Sequence, residues 1–534
     1  MHVDGNVADV ILAQLSEWGV QRIYGVLGDA VFPLFDALGR QDRIKFVAAV
    51  HETNAAFMAT YDARMTGELA VCTASAGPGA VSLLNGLADA FMDGVPVLAI
   101  TGQVDTKDMG FYTKQYFDQQ AVFSFFSKNT SLLADPHAVV KVLTRAVRAA
   151  CLESSVAHVS VPGDVFKKTV SVETVPANLV KIRSTPVFSG NQESIYAAVR
   201  NAQRPVIVAG KGSRAVKDQV LELAYKTGAG IVEAHGLKGI IGGRHELYLG
   251  GIGEAYLPPI VREADCLIIV GDVSHEMKFI PESSKIVYLG EHPGNIPVNA
   301  AAAATGDLGL LTEALLYRLG RQVLNREWFE RVKGESHSGR QALPPLTENA
   351  VPLHPLKVMA SLGGTVPQDA IIALDIGEFA HWFDRGFLGD RQEVLISGKW
   401  RSTGCGLPAA IGAKLACPDW TVVAIVGDGG FLASMSELLT CVRHNLDITT
   451  VVIKNGIYSL EKNKMSAEGL NPFGYELHNP DFVQFAKSCG AEGFRIEDPA
   501  DIEKTVRFAL QLGKPVLLEI ICAAVSLPNA GISG

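Results

Sequence analysis

Few of the features that mark a secreted, membrane-bound or nucleic-acid-binding protein are present in this sequence. Basic residues are in deficit: 47 Lys and Arg stand against 56 Asp and Glu, a formal net charge of −9. Nucleic-acid binders usually carry the opposite surplus, because clustered Lys and Arg neutralise phosphates, so no nucleic-acid partner is expected. Runs of like charge long enough for a solvated tail are lacking. Only eight cysteines occur, at 72, 151, 266, 405, 417, 441, 489 and 522, and none form a C-x-x-C pair. That argues against a disulfide framework or a thiolate zinc site and predicts free thiols in a reducing compartment. The start, Met1-His2-Val3-Asp4, lacks a basic region followed by an apolar core, so no secretory leader is expected. No apolar run reaches the ~18 residues of a membrane helix without a charge, Gly or Pro. A cytoplasmic protein with no membrane partner is the expectation.

What is present is the composition of a globular protein: 48% hydrophobic and 19% charged residues over 534 positions. At roughly 100–200 residues per domain, three domains are expected. In the first 170 residues short β-rich runs (Arg22–Val26, Leu69–Thr73, Pro96–Thr101, Ala157–Val161) alternate with helical stretches (Val7–Trp18, Ala30–Leu38, Thr53–Thr66, Pro136–Cys151). Such alternation predicts a parallel sheet covered by helices on both faces. Val172–Gly190 has no clear period and reads as a linker. A second block carries the apolar runs Pro205–Ala209, Cys266–Gly271 and Ile286–Leu289, and a proline-rich connector follows at 341–355. A third block repeats the alternation with Ala370–Leu374, Thr421–Val426, Thr449–Lys454 and Pro515–Ile521. The predicted class is α/β, with three doubly wound parallel-sheet domains over 1–172, 190–330 and 356–534. The middle one is Rossmann-like.

The most informative motif is Val422-Val-Ala-Ile-Val-Gly-Asp-Gly-Gly430 with Lys454-Asn455-Gly456, where Asn455 lies 27 positions after Asp428. A buried strand ends in a glycine turn before a helix at Ser434–His444. A second strand, Ile448–Lys454, ends at Asn455. Parallel strands open on one carboxyl edge, where ligands bind. Asp428, Asn455 and the Ile457 carbonyl offer the hard oxygens that Mg²⁺ prefers alongside phosphates and water. Gly427, Gly429 and Gly430 let the backbone approach a diphosphate.

The Gly-Asp-Gly and Asn pair resembles the signature of thiamine-diphosphate (ThDP) enzymes. The nearest likeness is to the pyruvate oxidase and acetohydroxyacid (acetolactate) synthase branch. It extends over nearly the whole chain through Tyr24–Asp29, His51-Glu52, Gly67–Val71, Ser75-Ala-Gly-Pro-Gly79, Asn85-Gly86, Asp93–Leu98, Val161–Asp164 and Gly404–Pro408. The resemblance implies a pyrimidine-binding domain, a central domain and a diphosphate domain, in that order. It implies ThDP and Mg²⁺, with Glu52, at the end of a strand Lys45–Val50, bonded to the aminopyrimidine ring as activator. Gln115 and Ser82 fall at substrate-side positions. Gly28, Pro78, Asp375, Gly377, Glu378, Ser402, Thr403 and Leu460 fall at cofactor-side positions. Family geometry also places Glu52 and the metal on different subunits, implying a homodimer or homotetramer with sites at the interface. The implied chemistry is decarboxylation or carboligation of a small 2-oxo acid.

Three departures stand out. Thr403 falls where a bulky apolar residue usually supports the cofactor. Glu461 falls at an apolar position near the substrate, as a proton relay or as a partner of Lys462 or Lys464. The acidic pair of flavin-binding members is replaced around Gly290-Glu291-His292-Pro293, although Ala209–Arg214 and Leu249–Gly253 would still admit FAD or another nucleotide. With Ile532-Ser533-Gly534 following soon after the last predicted strand, the membrane-binding tail of quinone-linked oxidases is not expected. A flavin-assisted oxidase and a binding protein that keeps the fold without turnover are the alternatives.

Overall fold

The computed structural model describes residues 2–180, 189–235, 237–252, 258–273, 284–320, 324–341 and 351–526. Most of the proline-rich connector, part of the 172–190 linker, Gly253 of the glycine run and the chain end lie outside the described residues. Three parallel sheets organise the chain. The first has six strands: β1 (Arg22–Gly25), β2 (Lys45–Ala48), β3 (Ala70–Ala74), β4 (Val97–Gln103), β5 (Asn129–Leu132) and β6 (Val156–Pro162), in the order β2-β1-β3-β4-β6-β5. The central sheet comprises β7 (Pro205–Ala209), β8 (Gly230–Glu233), β9 (Tyr248–Gly251), β10 (Cys266–Val270), β11 (Lys285–Gly290) and β12 (Ala300–Thr305). Their order is β9-β8-β7-β10-β11-β12, with Ser189–Gly190 added antiparallel at one edge. That is the 3-2-1-4-5-6 order of a dinucleotide-type fold.

The third sheet comprises β13 (Ile371–Leu374), β14 (Glu393–Leu395), β15 (Val422–Gly427), β16 (Ile448–Lys454), β17 (Glu492–Ile496) and β18 (Val516–Ile521), in the order β14-β13-β15-β16-β18-β17. Its topology repeats that of the first sheet strand for strand. The central strands are continuous Val/Ile/Leu runs because both faces of a parallel sheet are covered.

The first and third sheets share one hydrophobic core, in which Tyr24, Met58 and Leu83 pack with Ile371, Leu407, Ile411 and Phe431. It forms where helix α1 (Glu52–Thr66) is clasped between α2 (Pro78–Met92) and, from the third block, the helix Gly406–Ala416. Small residues permit the approach. A Cβ on Gly86 would lie 2.6 Å from Ala56 Cβ, and one on Gly412 would lie 2.3 Å from the Met58 carbonyl. All eight cysteines are free; five are buried, while Cys151, Cys417 and Cys489 are half-buried. Among the described residues no helix is long and apolar enough to cross a membrane.

Candidate active site

The metal-ligand candidates meet at the carboxyl edge of the third sheet. β15 and β16 are neighbours, with Gly427 in register with Ile453, so Asp428 and Asn455 leave adjacent strands side by side. Asp428 is buried at 3% exposure. Its Oδ2 accepts from the Asn455 N–H (3.1 Å), the Gly456 N–H (2.7 Å) and Asn479 Nδ2 (2.7 Å), and its Oδ1 accepts from the Gly429 N–H. Burial pushes this carboxyl above its ordinary range, and those donors pull against the rise. Asn455 Oδ1 accepts from the Ile457 N–H, and its Nδ2 donates to Ser459 Oγ at 2.6 Å. The Ile457 carbonyl, expected as a third ligand, accepts from the Ser459 N–H and keeps its second lone pair.

The glycine turn is packed too closely to carry side chains. A Cβ on Gly429 would stand 2.4 Å from the Tyr458 ring, and one on Gly430 would stand 2.3 Å from Asp375 Oδ2. Asp375, at the end of β13, is fully buried and accepts from the Ile376 and Gly404 N–H groups. Burial pushes its carboxyl up to about 6. Its side chain therefore braces the Ser402-Thr403-Gly404 loop against the glycine turn. Gly377 caps helix α3 (Glu378–Gly386), and the Phe379 ring lies against both Gly377 and Gly427. Thr403 is exposed within the chain, with its methyl toward Gly430. Ser402 accepts from Asn85 Nδ2 at 3.1 Å, a link from the loop to α2. Glu461 is exposed on the first turn of the helix Ser459–Ala467, with Leu460 half-buried beside it. No ion pair joins Glu461 to Lys462 or Lys464 among the described residues, and Lys462 lies instead over the Tyr475 ring.

A second cluster belongs to the first sheet. The strand before Glu52 ends at Ala48 rather than Val50, and Glu52 is the first residue of α1 with His51 as its cap. The half-buried Glu52 faces the start of α2, where a Cβ on Gly79 would lie 3.1 Å from Glu52 Oε1. Gly77 has φ +63° and packs against the side chain of Gln115, which itself sits at φ +67°. A non-glycine residue in the left-handed region costs about 1 kcal/mol or more and often marks a functional turn. Ser82 is half-buried on α2, and its carbonyl accepts from Thr53 Oγ1 at 2.7 Å. Gly28 packs on Ser75, whose Cβ would lie 2.4 Å from a Cβ there, and Pro78 opens α2. Glu52, Pro78, Gln115 and Ser82 thus gather around one turn. Asp428 and Asn455 form the other group. No polar contact joins Glu52 to Asp428 among the described residues.

Family models for thiamine pyrophosphate enzymes match three segments: the N-terminal binding domain at 5–122, the central domain at 193–315 and the C-terminal binding domain at 375–520. YdaP of Bacillus subtilis (strain 168), whose name carries thiamine pyrophosphate, is 32% identical over 95% of this chain and 90% of its own. The chain belongs to the thiamine pyrophosphate enzyme family. A catabolic acetolactate synthase of Raoultella terrigena is 29% identical, covering 96% of this chain and 94% of the relative. The pyruvate oxidase of Lactiplantibacillus plantarum is 27% identical, covering 96% and 87%. The family resemblance drawn from motifs therefore holds, as does the α/β class with three parallel sheets.

Two residues of this family member escaped the sequence reading. Asn479 reaches Asp428 from 51 positions away, and its Oδ1 is buried without a hydrogen-bond partner. Glu437 is fully buried after the glycine turn and accepts from the Val50 and His51 N–H groups (3.1 Å each), Asn54 Nδ2 and Thr440 Oγ1. It fixes the backbone that presents Glu52. Neither sits in a motif, and long-range carboxylate–amide contacts leave no local spacing to read.

Proposed function

We propose that the protein is a thiamine-diphosphate- and Mg²⁺-dependent enzyme that decarboxylates or carboligates a small 2-oxo acid such as pyruvate. The carrying observation is the buried Asp428 carboxylate beside Asn455 at adjacent strand ends, on a glycine turn packed too closely by Phe379, Tyr458 and Asp375 to carry side chains. The donor set fits the ion. Asp428, Asn455 and the Ile457 carbonyl are hard oxygen ligands. Asn479 donates to Asp428 through Nδ2 and leaves its own Oδ1 buried without a hydrogen-bond partner.

When bound, thiamine diphosphate supplies a nucleophilic ring carbon and an electron sink for the bond next to the carbonyl. The chain's own residues do the rest. Gly427, Gly429 and Gly430 admit the diphosphate, with Gly377, Glu378 and Ser402 around it and Asp375 bracing the turn. Thr403 and Leu460 shape the space under the cofactor. Glu52 holds a proton at its carboxyl oxygen against the pyrimidine ring, with Gly28 and Pro78 lining that end. Gln115, Ser82 and Glu461 face the substrate and orient it or exchange protons with it.

Glu52 and Asp428 act together across a subunit interface, in a homodimer or homotetramer. The exposed apolar side chains Leu27, Val81, Phe111 and Tyr112, chain neighbours of Gly28, Ser82 and Gln115, support burial of this face. The order of the central sheet keeps a flavin-assisted oxidase as the second reading. Incubation with Mg²⁺, ThDP and a panel of 2-oxo acids is expected to release CO₂ without oxygen uptake. The purified protein is expected to show no flavin band. A flavin spectrum with substrate-dependent bleaching would favour the oxidase, and no CO₂ from any 2-oxo acid would remove the proposal.

A further inference from the structure

Away from the residues assigned above, a buried cluster ties the central sheet to the third. His235 lies two positions beyond the end of β8. His381 and Asp384 lie one turn apart on α3, on the same face. Exposures are 7%, 1% and 1%. One ligating atom from each residue lies within 4.8 Å of the other two. His235 Nδ1 and Asp384 Oδ2 share a hydrogen bond, and the rings of His235 and His381 are 5.6 Å apart between centroids.

We propose that His235, His381 and Asp384 bind a borderline transition-metal dication of the zinc and cobalt class, clamping the central sheet to the third. Two imidazoles and one carboxylate suit such an ion and leave coordination positions open, whereas Mg²⁺ prefers an oxygen-only shell. His381 Nδ1 is buried without a hydrogen-bond partner, a position that costs stability unless something occupies it. Burial, and then the neighbouring His235, push His381 down to about 3, which favours the neutral ring that a metal binds. Burial works against the Asp384 carboxylate, but His235 and then Lys238 hold it below its ordinary value.

Charged and polar groups surround the cluster. Lys238 Nζ donates to Tyr248 Oη at 2.6 Å, and Glu233 accepts from the Gly239 and Ile241 N–H groups. With Asp384, these groups place two carboxylates and one ammonium around the cluster, and Arg401 and Lys464 also bear on His381. Ligand atoms around such an ion stand about 3–3.5 Å apart, so the 4.8 Å spread closes by side-chain rotation.

The test uses the full chain, stripped with a chelator and titrated with Co²⁺ in excess Mg²⁺ without thiamine diphosphate. Saturable visible ligand-field bands at one Co²⁺ per chain are expected, with a rise in Tm because the ion binds only the folded form. His381→Gln should keep the metal-free circular dichroism spectrum and Tm and lose the bands. Asp384→Asn should weaken Co²⁺ binding by at least about tenfold. Absence of bands in the wild type, or the same bands in His381→Gln, would overturn the proposal and leave a hydrogen-bonded cluster only. Should His381→Gln fail to fold, X-ray absorption of the wild-type cobalt protein decides: imidazole scattering supports the site and an oxygen-only shell refutes it.

Discussion

Glu52→Gln is expected to cut turnover by about 10²–10⁴-fold, the usual contribution of a positioned acid–base group, while thiamine diphosphate affinity changes by less than about threefold. The side chains are nearly isosteric, and Glu52 makes no side-chain hydrogen bond or ion pair among the described residues, so the exchange breaks no fold contact. Gly79 at the start of α2 leaves the carboxyl oxygen close to the turn rather than screened behind a side chain. The surrounding backbone is held independently by Glu437 through the Val50 and His51 amides. An amide in place of the carboxyl keeps the shape and loses the titrating proton. Steady-state kinetics with calorimetric cofactor titration separate the two effects. Wild-type turnover in Glu52→Gln would show that another group activates the cofactor.

Asp428→Ala is expected to weaken Mg²⁺-dependent cofactor binding by at least about a hundredfold. It also leaves the Asn455 and Gly456 amides and Asn479 Nδ2 without their acceptor, each orphan costing about 1–3 kcal/mol. The Asn variant separates the two losses, because it keeps an acceptor oxygen and the side-chain volume but removes the charge. It should bind metal poorly while unfolding close to the wild type. The sign with pH follows from the raised carboxyl of Asp428. The metal-binding anion is lost on acidification at a higher pH than for an ordinary aspartate, so cofactor affinity falls early as the pH drops. Calorimetric titrations of thiamine diphosphate across pH, with and without Mg²⁺, read this directly.

The alternation of apolar runs with helical stretches was enough to place the three sheets, because a parallel strand buried on both faces reads as a continuous Val/Ile/Leu run. The pairing of Asp428 with Asn455 was legible for the same reason: each ends such a run, and adjacent strands open on one edge. Other features were not. The short strand Glu393–Leu395 carries too few residues to show a period. The strand before Glu52 stops at Ala48 because the Val50 and His51 amides bond to Glu437 instead of a neighbouring strand. Asp375 reads as a cofactor contact in the motif, yet its carboxylate turns inward to the Gly404 amide. Asn479 joins Asp428, and His235 joins the His381 and Asp384 pair, only when distant segments pack, and no spacing in the chain announces those partnerships.

Co-expression of Glu52→Gln and Asp428→Ala chains with separable tags tests the account most directly. If one subunit supplies the acid and its neighbour the metal site, hybrid dimers contain one intact centre, and the mixture regains about a quarter of wild-type activity. If hybrid assemblies form but stay as inactive as either parent, the two groups do not work across an interface and the assignment fails.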